Sequence, residues 1–208
     1  VTDTSGAWQA MTVGMPAMGI GIGIPAIGLD GSGAPEVVVR LAGLGDDDDT
    51  LWRFSDLPWG AAARLMVGDE RDEEFPDILR DASGRLVVAY RGAWNAPGIV
   101  IVGLPSLRSD GAGAKHLAFE RYATDATDGT SYATDASGAW VDETLGTTHG
   151  PPDLALSGPS PYVAAPDRLY WNTGAGWQQH LYQDSNGTKA AVATGMTAII
   201  AHATDAGL

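Results

Sequence analysis

The feature that most constrains the fold of this chain is an internal repeat. In each copy, a residue that is usually proline is followed five positions later by a small polar residue. The five copies are Pro25–Asp30, Pro76–Asp81, Pro105–Asp110, Pro152–Ser157 and Lys189–Thr194. Self-similarity at a period of tens of residues is typical of solenoids, propellers and arrays. Each copy therefore predicts the first strand of one supersecondary unit.

A second repeated element is a polar turn that ends in tryptophan, which we name the Trp turn. It occurs at Thr2–Trp8, Thr134–Trp140 and Trp171–Trp177, with a shorter version at Phe54–Trp59. Asp, Asn, Ser and Gly favour tight hairpin turns. The tryptophan is expected to begin the return strand and to bury its ring between neighbouring sheets. The pattern therefore predicts a structural role for this turn.

Together these elements define a unit of four strands. Its order is a strand, an Asp-x-x-Gly turn, a hydrophobic strand such as Glu36–Arg40, a variable loop, an aromatic strand, a Trp turn and a final strand. Short β-branched runs bounded by Gly, Pro and Asp are strand signals, and no helical period persists. The 208 residues over five units give about 42 residues per unit. We expect one all-β domain over residues 1–208, a β-propeller of five blades, each a four-stranded antiparallel sheet.

Two regions refine this prediction. The chain begins within a Trp turn and ends within the fifth unit, so we expect N- and C-terminal strands to pair and close the ring. Ile99–Val102 runs almost directly into Pro105 with no Trp turn between them. That spacing predicts either a very short strand near Gly103 or a different assignment of the third unit.

The repeat resembles that of bacterial secreted propellers of the sialidase-like type. In that family an Asp-box, Ser-x-Asp-x-Gly-x-x-Trp, joins the two outer strands of each blade. Here Gly6 and Gly138 follow the aspartate by three residues instead of two. The resemblance implies that these turns serve folding and face away from the binding site. The Arg-Ile-Pro segment of the family's enzymes does not occur in this chain.

Composition narrows the class of partner. The chain has 26 acidic and 12 basic residues and a formal net charge of −14, which disfavours nucleic acid. No apolar run approaches the roughly 18 to 20 residues of a membrane-spanning helix. The absence of cysteine excludes disulfides and thiol chemistry. Its Gly, Ala, Thr and Asp richness is typical of a secreted bacterial protein, so we expect an extracellular or periplasmic monomer, or one domain of a larger protein.

The loops that follow second strands are expected to form the ligand-binding face. Alignment of the second strands places Arg40, Arg91, Arg121, Ala165 and His202 at equivalent positions, with an uncertainty of one residue at Arg121. Convergent guanidinium groups bind carboxylate or phosphate. The alternative is that each arginine pairs with the acidic loop that follows it.

Those acidic loops also raise a calcium hypothesis. The carboxylates concerned are Asp46, Asp47, Asp48, Asp49, Asp125 and Asp128. Calcium binds clusters of carboxylate and carbonyl oxygens that flexible loops supply. The alternative is that these are solvated loops without a metal, since no defined calcium-loop spacing is present.

Trp94 and His149 complete the candidate site. Trp94 fits neither a Trp turn nor a strand, and an aromatic ring on a polar loop can stack on the apolar face of a sugar. The alternative is that Trp94 caps the blade below it. His149 is expected on a loop of the same rim, where it and His202 would contact the ligand.

These observations predict a non-catalytic, secreted propeller that recognises a glycan or another acidic ligand. A structural or protein–protein interaction module is one alternative. A minimal or degenerate glycoside hydrolase is another, and its chemistry would need two convergent carboxyl groups with separated pKa values.

Overall fold

Antiparallel β-strands form the regular structure of this protein. The computed structural model describes residues 19–43, 50–55, 61–64, 74–93, 100–101, 103–121, 129–181, 187–193 and 199–204. Seventeen strands and no helix occur in this part, which confirms the all-β class. Within the same residues, no helix is long and apolar enough to cross a membrane.

The strands are short, as expected for hairpins joined by tight turns. They are β1 (Gly19–Leu29), β2 (Pro35–Gly43), β3 (Thr50–Ser55), β4 (Ala61–Arg64), β5 (Glu74–Arg80), β6 (Leu86–Ala93), β7 (Val100–Ile101), β8 (Ser106–Ser109), β9 (Lys115–Arg121), β10 (Gly129–Thr134), β11 (Val141–Gly146), β12 (Asp153–Ser157), β13 (Ser160–Ala164), β14 (Arg168–Asn172), β15 (Trp177–Leu181), β16 (Gly187–Ala193) and β17 (Ile199–Thr204).

The strands fall into five units that follow the sequence repeat. The first unit, β1 to β4, and the fourth, β12 to β15, are separate four-stranded sheets in chain order. The third unit, β8 to β11, also pairs in chain order. The second unit, β5 to β7, is joined to the third in one seven-stranded sheet. The fifth unit, β16 and β17, is a two-stranded sheet.

The short strand β7 accounts for the irregular spacing before Pro105. Val100 pairs with Ala93, while Ile101 pairs with both Gly92 and Arg121. The two residues of β7 therefore bridge β6 of the second unit and β9 of the third. The sequence predicted a very short strand near Gly103 as one alternative, but β7 lies earlier, within Ile99–Val102, and the described residues 103–105 form no strand.

Asp-x-x-Gly turns close the first hairpin of the first three units. Oδ1 of Asp30 accepts hydrogen bonds from the N–H groups of Ser32 and Ala34 at 2.8 and 2.9 Å. Asp81 and Asp110 accept the corresponding bonds in their own turns. The fourth residue of each turn is a glycine with positive φ: Gly33 (82°), Gly84 (79°) and Gly113 (89°). The repeated aspartate and glycine are therefore explained by the turn itself.

The core is divided into clusters that lie between consecutive units. The cluster between the first and second units contains Ala26, Val38, Leu51, Ile78 and Tyr90. The next contains Ala89, Ile101, Leu107, Leu117, Phe119 and Ala133. The cluster between the third and fourth units contains Ala118, Tyr132, Leu154, Val163, Ala165 and Tyr170. The first four units thus pack their sheets face to face in the order of the chain.

The two described Trp turns behave as the sequence predicts. Trp140 packs against the cluster between the second and third units. The ring of Trp177 lies edge-on to Tyr132, with centroids 5.0 Å apart, and its Nε1 donates to Oε1 of Glu143 at 2.5 Å. Both rings therefore contact the preceding unit. Trp8 and Trp59 lie outside the described residues.

The first strands of the units are neighbours in space. β1 contacts β5, β5 contacts β8, β8 contacts β12, and β12 contacts β16. Each of these five strands overlaps one copy of the repeat. Their succession matches the order of the units along the chain.

Side chains at one repeat position connect neighbouring first strands. Oδ2 of Asp77 accepts the N–H of Leu107 at 2.7 Å. In the next unit, Oγ of Ser106 accepts the N–H of Leu154 at 3.1 Å. Asp77 and Ser106 each follow the proline that begins the repeat. Because a strand at a sheet edge has backbone N–H groups without a strand partner, these side chains satisfy donors that would otherwise be orphaned.

Candidate binding site

An open groove lies between the second and third units. Its cavity volume is about 420 Å³, and its lining consists of Arg85, Leu86, Val87, Val88, Lys115, Asp135 and Trp140. The start of β6 forms one wall, where Val87 packs toward the third unit, while Leu86 and Val88 pack toward the first unit because successive strand residues face opposite sides of the sheet. An indole ring and three charged side chains complete the walls, so the groove presents both apolar and polar surface.

The Trp turn brings the indole of Trp140 to this groove. The N–H of Gly138 donates to the carbonyl of Asp135 at 2.8 Å, and Gly138 has a φ of 86°. This tight turn carries the chain from β10 back to β11, and Trp140 stands just before β11. The ring is half-buried, because its inner part packs against the cluster between the two units.

Lys115 and Asp135 form a fixed ion pair at the groove. Asp135 accepts the backbone N–H of Lys115 on Oδ1 at 2.6 Å and the Nζ of Lys115 on Oδ2 at 2.7 Å. Both side chains are largely buried. Two simultaneous bonds to one carboxylate restrict both side chains, so the ammonium group is held in place before any ligand arrives.

Arg85 is held by Asp81, the aspartate of its own turn. Its Nε and Nη2 lie 2.9 Å from Oδ2 of Asp81, and its side chain is 77% exposed. The hydroxyl of Ser83, together with bonds from Arg85, lowers the pKa of Asp81. Asp81 therefore remains ionised at ordinary pH and keeps the guanidinium oriented.

The strand register corrects the predicted position of Arg121. Val38 pairs with Ala26, Ala89 with Asp77, and Ala118 with Ser106. Two residues beyond these pairs lie Arg40, Arg91 and Glu120. Glu120 is thus the equivalent of the first two arginines, and Arg121 is displaced by one residue to the other face of the sheet.

Arg121 has its own carboxylate partner. Its Nη2 forms an ion pair with Asp142 of β11, two strands away in the same sheet, and its guanidinium lies 5.8 Å from the centroid of the Phe119 ring. Arg40 and Arg91 are half-buried in β2 and β6. The guanidinium group of Arg121 is therefore engaged in an ion pair within its own sheet.

His149 lies in the segment between β11 and β12, and its place on a ligand-binding rim stays a prediction. Its Nδ1 is 3.1 Å from Oε1 of Glu120, and its side chain is 51% exposed. His202 pairs with Ala190 in β16. Ala190 follows the first residue of the fifth repeat, so His202 corresponds to Val38 instead of Arg40. The prediction that His202 shares the position of the arginines is therefore off by two residues.

Several predicted site residues lie outside the described part of the chain. They are Trp94, Asp46, Asp47, Asp48, Asp49, Asp125 and Asp128. Their roles in sugar and calcium binding remain predictions. Among the residues that are described, no group of three or more His, Asp or Glu side chains could hold a metal ion.

The carboxylates that do approach each other serve backbone and arginine partners. Asp77 and Asp153 both contact Arg108, at 3.2 and 3.4 Å. Asp153 also accepts the hydroxyl of Ser106 at 3.0 Å, and Asp77 accepts the N–H of Leu107. Burial raises the pKa of Asp77 despite these bonds. The arrangement is that of a structural network between first strands.

Sequence reasoning missed the groove because its walls are far apart in the chain. The sequence pattern gives Trp140 only a structural role, and the sialidase-like resemblance implies that its turn faces away from the binding site, whereas its proximity to β6 depends on packing between units. One signal was available: the residue that follows the turn glycine is Arg85 in the second unit but Ala34 and Ala114 in the first and third. A departure from an otherwise regular repeat marks this junction.

Comparison with known proteins adds little. No protein-family model matches the chain, and no curated protein matches it. Among solved structures, a fucose lectin from Kordia zhangzhouensis in complex with methyl-fucoside is similar to this chain with a TM-score of 0.36 and 14% sequence identity, over 77% of this chain and 99% of that one.

Proposed function

We propose that this protein is a non-catalytic carbohydrate-binding protein and that the groove between its second and third units holds the sugar. The observation that carries the proposal is the indole of Trp140 lining a groove that also contains fixed polar groups. An aromatic ring packs well against the apolar C–H face of a sugar. The remaining hydroxyl groups of the sugar need hydrogen-bond partners around that ring.

The ion pair between Lys115 and Asp135 supplies such partners. The ammonium group is a donor and the carboxylate an acceptor, and the two are held 2.7 Å apart. Neighbouring hydroxyl groups on a sugar ring could bond to both. Because both side chains are already ordered, binding costs less conformational entropy than it would with flexible side chains.

The proposal includes a radial arrangement of the five units as a β-propeller of the sialidase-like repeat type. Its support is the succession of contacts among the first strands β1, β5, β8, β12 and β16. Further support comes from the Trp turns, which join the last two strands of the third and fourth units. Closure by the chain termini belongs to this proposal, and so does the five-blade count.

Secretion from a bacterial cell and calcium binding by the acidic loops are also part of the proposed function. The amino-acid composition supports the first, and the carboxylate-rich loop sequences support the second. The predicted stacking of Trp94 on a sugar would be a separate contact at the rim, because Trp94 follows the end of β6 whereas the groove lies at its start.

A glycan-array screen of the whole chain, with and without calcium, tests this function. Trp140→Ala should lose binding, whereas Trp140→Phe should keep most of it because an aromatic surface remains. Trp171→Ala, in the fourth unit, is the matched control for loss of a tryptophan. Trp94→Ala tests the rim: loss of binding in that variant alone would place the site there. Absence of binding to any glycan by the unaltered protein would contradict the proposal.

One observation favours a second candidate, a protein-interaction module. Ile27 and Leu29 on β1 are 70% and 62% exposed, and they alternate with Ala26 and Gly28, which face the second unit. Exposed apolar side chains that form a contiguous patch, unlike single scattered ones, mark a contact surface. Analytical ultracentrifugation of the unaltered chain and of Ile27→Lys tests it: self-association that the substitution abolishes would support this candidate, and a monomer in both cases would count against it.

A further inference from the structure

We infer that the groove selects sugars that carry a carboxylate group, through Arg85 and Lys115. This inference rests on the proposed carbohydrate-binding function and names the ligand class of the same site. It goes beyond that function because neutral sugars would satisfy the indole and the ion pair equally well.

The first argument is that the turn does not require an arginine at position 85. The turns at Asp30 and Asp110 form the same hydrogen bonds with alanine at the corresponding position. Arg85 donates its backbone N–H to Asp81 just as Ala34 donates to Asp30. The turn therefore does not need the side chain of Arg85. Instead, this side chain lines the groove.

The second argument comes from the donors and acceptors at the groove. Both oxygens of Asp81 already accept hydrogen bonds, from Ser83 and Arg85. Both oxygens of Asp135 accept bonds from Lys115. Arg85 uses Nε and Nη2 on Asp81, and Lys115 uses one ammonium donor on Asp135.

An arginine has five N–H donors and a lysine has three. Within the contacts of the described residues, the donors left over at the groove are therefore cationic, while Asp81 accepts four hydrogen bonds within its own turn. A ligand with an anionic acceptor suits this surplus better than a neutral hydroxyl group does. A carboxylate is planar and can accept two parallel bonds from a guanidinium group.

The third argument concerns charge. The whole chain has a formal net charge of −14, so an acidic glycan is repelled by most of its surface. At the groove, Arg85 and Lys115 balance Asp81 and Asp135. Repulsion from distant exposed charges is screened beyond about 10 Å in ordinary buffer, whereas the guanidinium would contact the ligand directly.

The experiment compares two matched ligands by calorimetric titration. One is an oligosaccharide that ends in glucuronic acid, and the other is the same oligosaccharide after reduction of its carboxyl group. The unaltered protein should bind the acidic form about tenfold more tightly, as a hydrogen bond to a charged group implies. Added salt should reduce that preference.

Arg85→Ala is the informative variant, because alanine already occupies this position in two other turns. It should bind the reduced oligosaccharide as the unaltered protein does and should lose the preference for the acidic form. Arg168→Gln is the matched control: Arg168 pairs with Asp167 at 2.6 Å in the fourth unit, away from the groove, and its loss should leave the preference intact.

The outcomes separate this inference from the function on which it rests. Equal affinity for both oligosaccharides, still lost in Trp140→Ala, would overturn the carboxylate preference and leave the sugar-binding function standing. An undiminished preference in Arg85→Ala would also overturn the inference, because Arg85 would then contribute nothing to it. Absence of binding to both ligands and to every glycan on an array would contradict the proposed function itself.

Discussion

The carboxylate of Asp77 accepts the backbone N–H of Leu107 at 2.7 Å, across the junction between the first strands of two units. The same carboxylate accepts the N–H of Ile78 on its other oxygen at 2.9 Å. In the first unit, Ala26 stands at the corresponding position and has no acceptor to offer Ile78. Asp77 thus serves its own strand and the following one.

Asp77→Ala should therefore destabilise the fold. It removes the acceptor of two backbone donors, and leaving a buried donor unsatisfied costs about 1 to 3 kcal/mol. Urea unfolding of the variant and of the unaltered protein measures the difference. A change in the free energy of unfolding smaller than a few tenths of a kcal/mol would show that water replaces these bonds without loss.

The pH dependence of the same residue has a definite sign. Burial raises the pKa of Asp77 above its usual value in spite of its hydrogen bonds. The folded state therefore binds the proton more tightly than the unfolded state. Relative to Asp77→Asn, the unaltered protein should gain stability as the pH falls through the raised pKa and lose that gain as the pH rises. A difference in the free energy of unfolding between the two proteins that does not change with pH would contradict this prediction.

Glu36 should show the opposite dependence. It is 1% exposed and pairs with Arg80 and Arg53, at 2.7 and 2.8 Å. Burial alone would raise its pKa, but the two guanidinium groups together lower it below its usual value of 4.5. Its contribution to stability should be present above pH 4.5 and should decrease as the pH falls through the lowered pKa.

Glu36→Gln measures that contribution directly. Removal of one partner from a buried ion pair costs up to about 3 to 5 kcal/mol, and the partial exposure of both arginines should keep the loss at the low end. Thermal and urea unfolding at neutral pH measure it, and the difference from the unaltered protein should shrink in acid. A difference independent of pH would mean that packing, and not charge, stabilises this junction.

The Asp-x-x-Gly turns offer a matched pair of glycine substitutions. Gly33 has a φ of 82°, whereas Gly31 in the same turn has no positive φ, and an added Cβ would meet no atom within 4 Å at either position. Gly33→Ala should therefore cost about 1 kcal/mol through backbone strain alone. Gly31→Ala should cost less. Equal losses of stability would show that the left-handed conformation is not what the turn requires.

The sequence predicted the parts of this fold that depend on local chemistry. The hairpin turns form because Asp30 and its equivalents satisfy backbone donors a few residues away, and the repeat pattern records that directly. The inward packing of Trp140 and Trp177 follows from large apolar rings placed beside hairpin turns. These features need no information from distant parts of the chain.

What the sequence could not predict depends on the packing of one unit on another. Glu120, and not Arg121, matches Arg40 because strand register is set by pairing with Ser106 and its equivalents, and a one-residue slip reverses the face. The groove arises only when Trp140 comes to lie beside β6. No local sequence pattern predicts that Trp140 lies close to β6, although Arg85 departs from the alanine found at the same position in the first and third units.

The most direct test of sugar binding in the groove follows the indole N–H signals of the seven tryptophans by NMR during titration with a glycan selected on an array. Trp140→Phe assigns the signal of Trp140. A sugar in the groove should shift that signal in proportion to occupancy and leave that of Trp171 in place. A Trp140 signal that stays still while the glycan binds would contradict sugar binding in the groove.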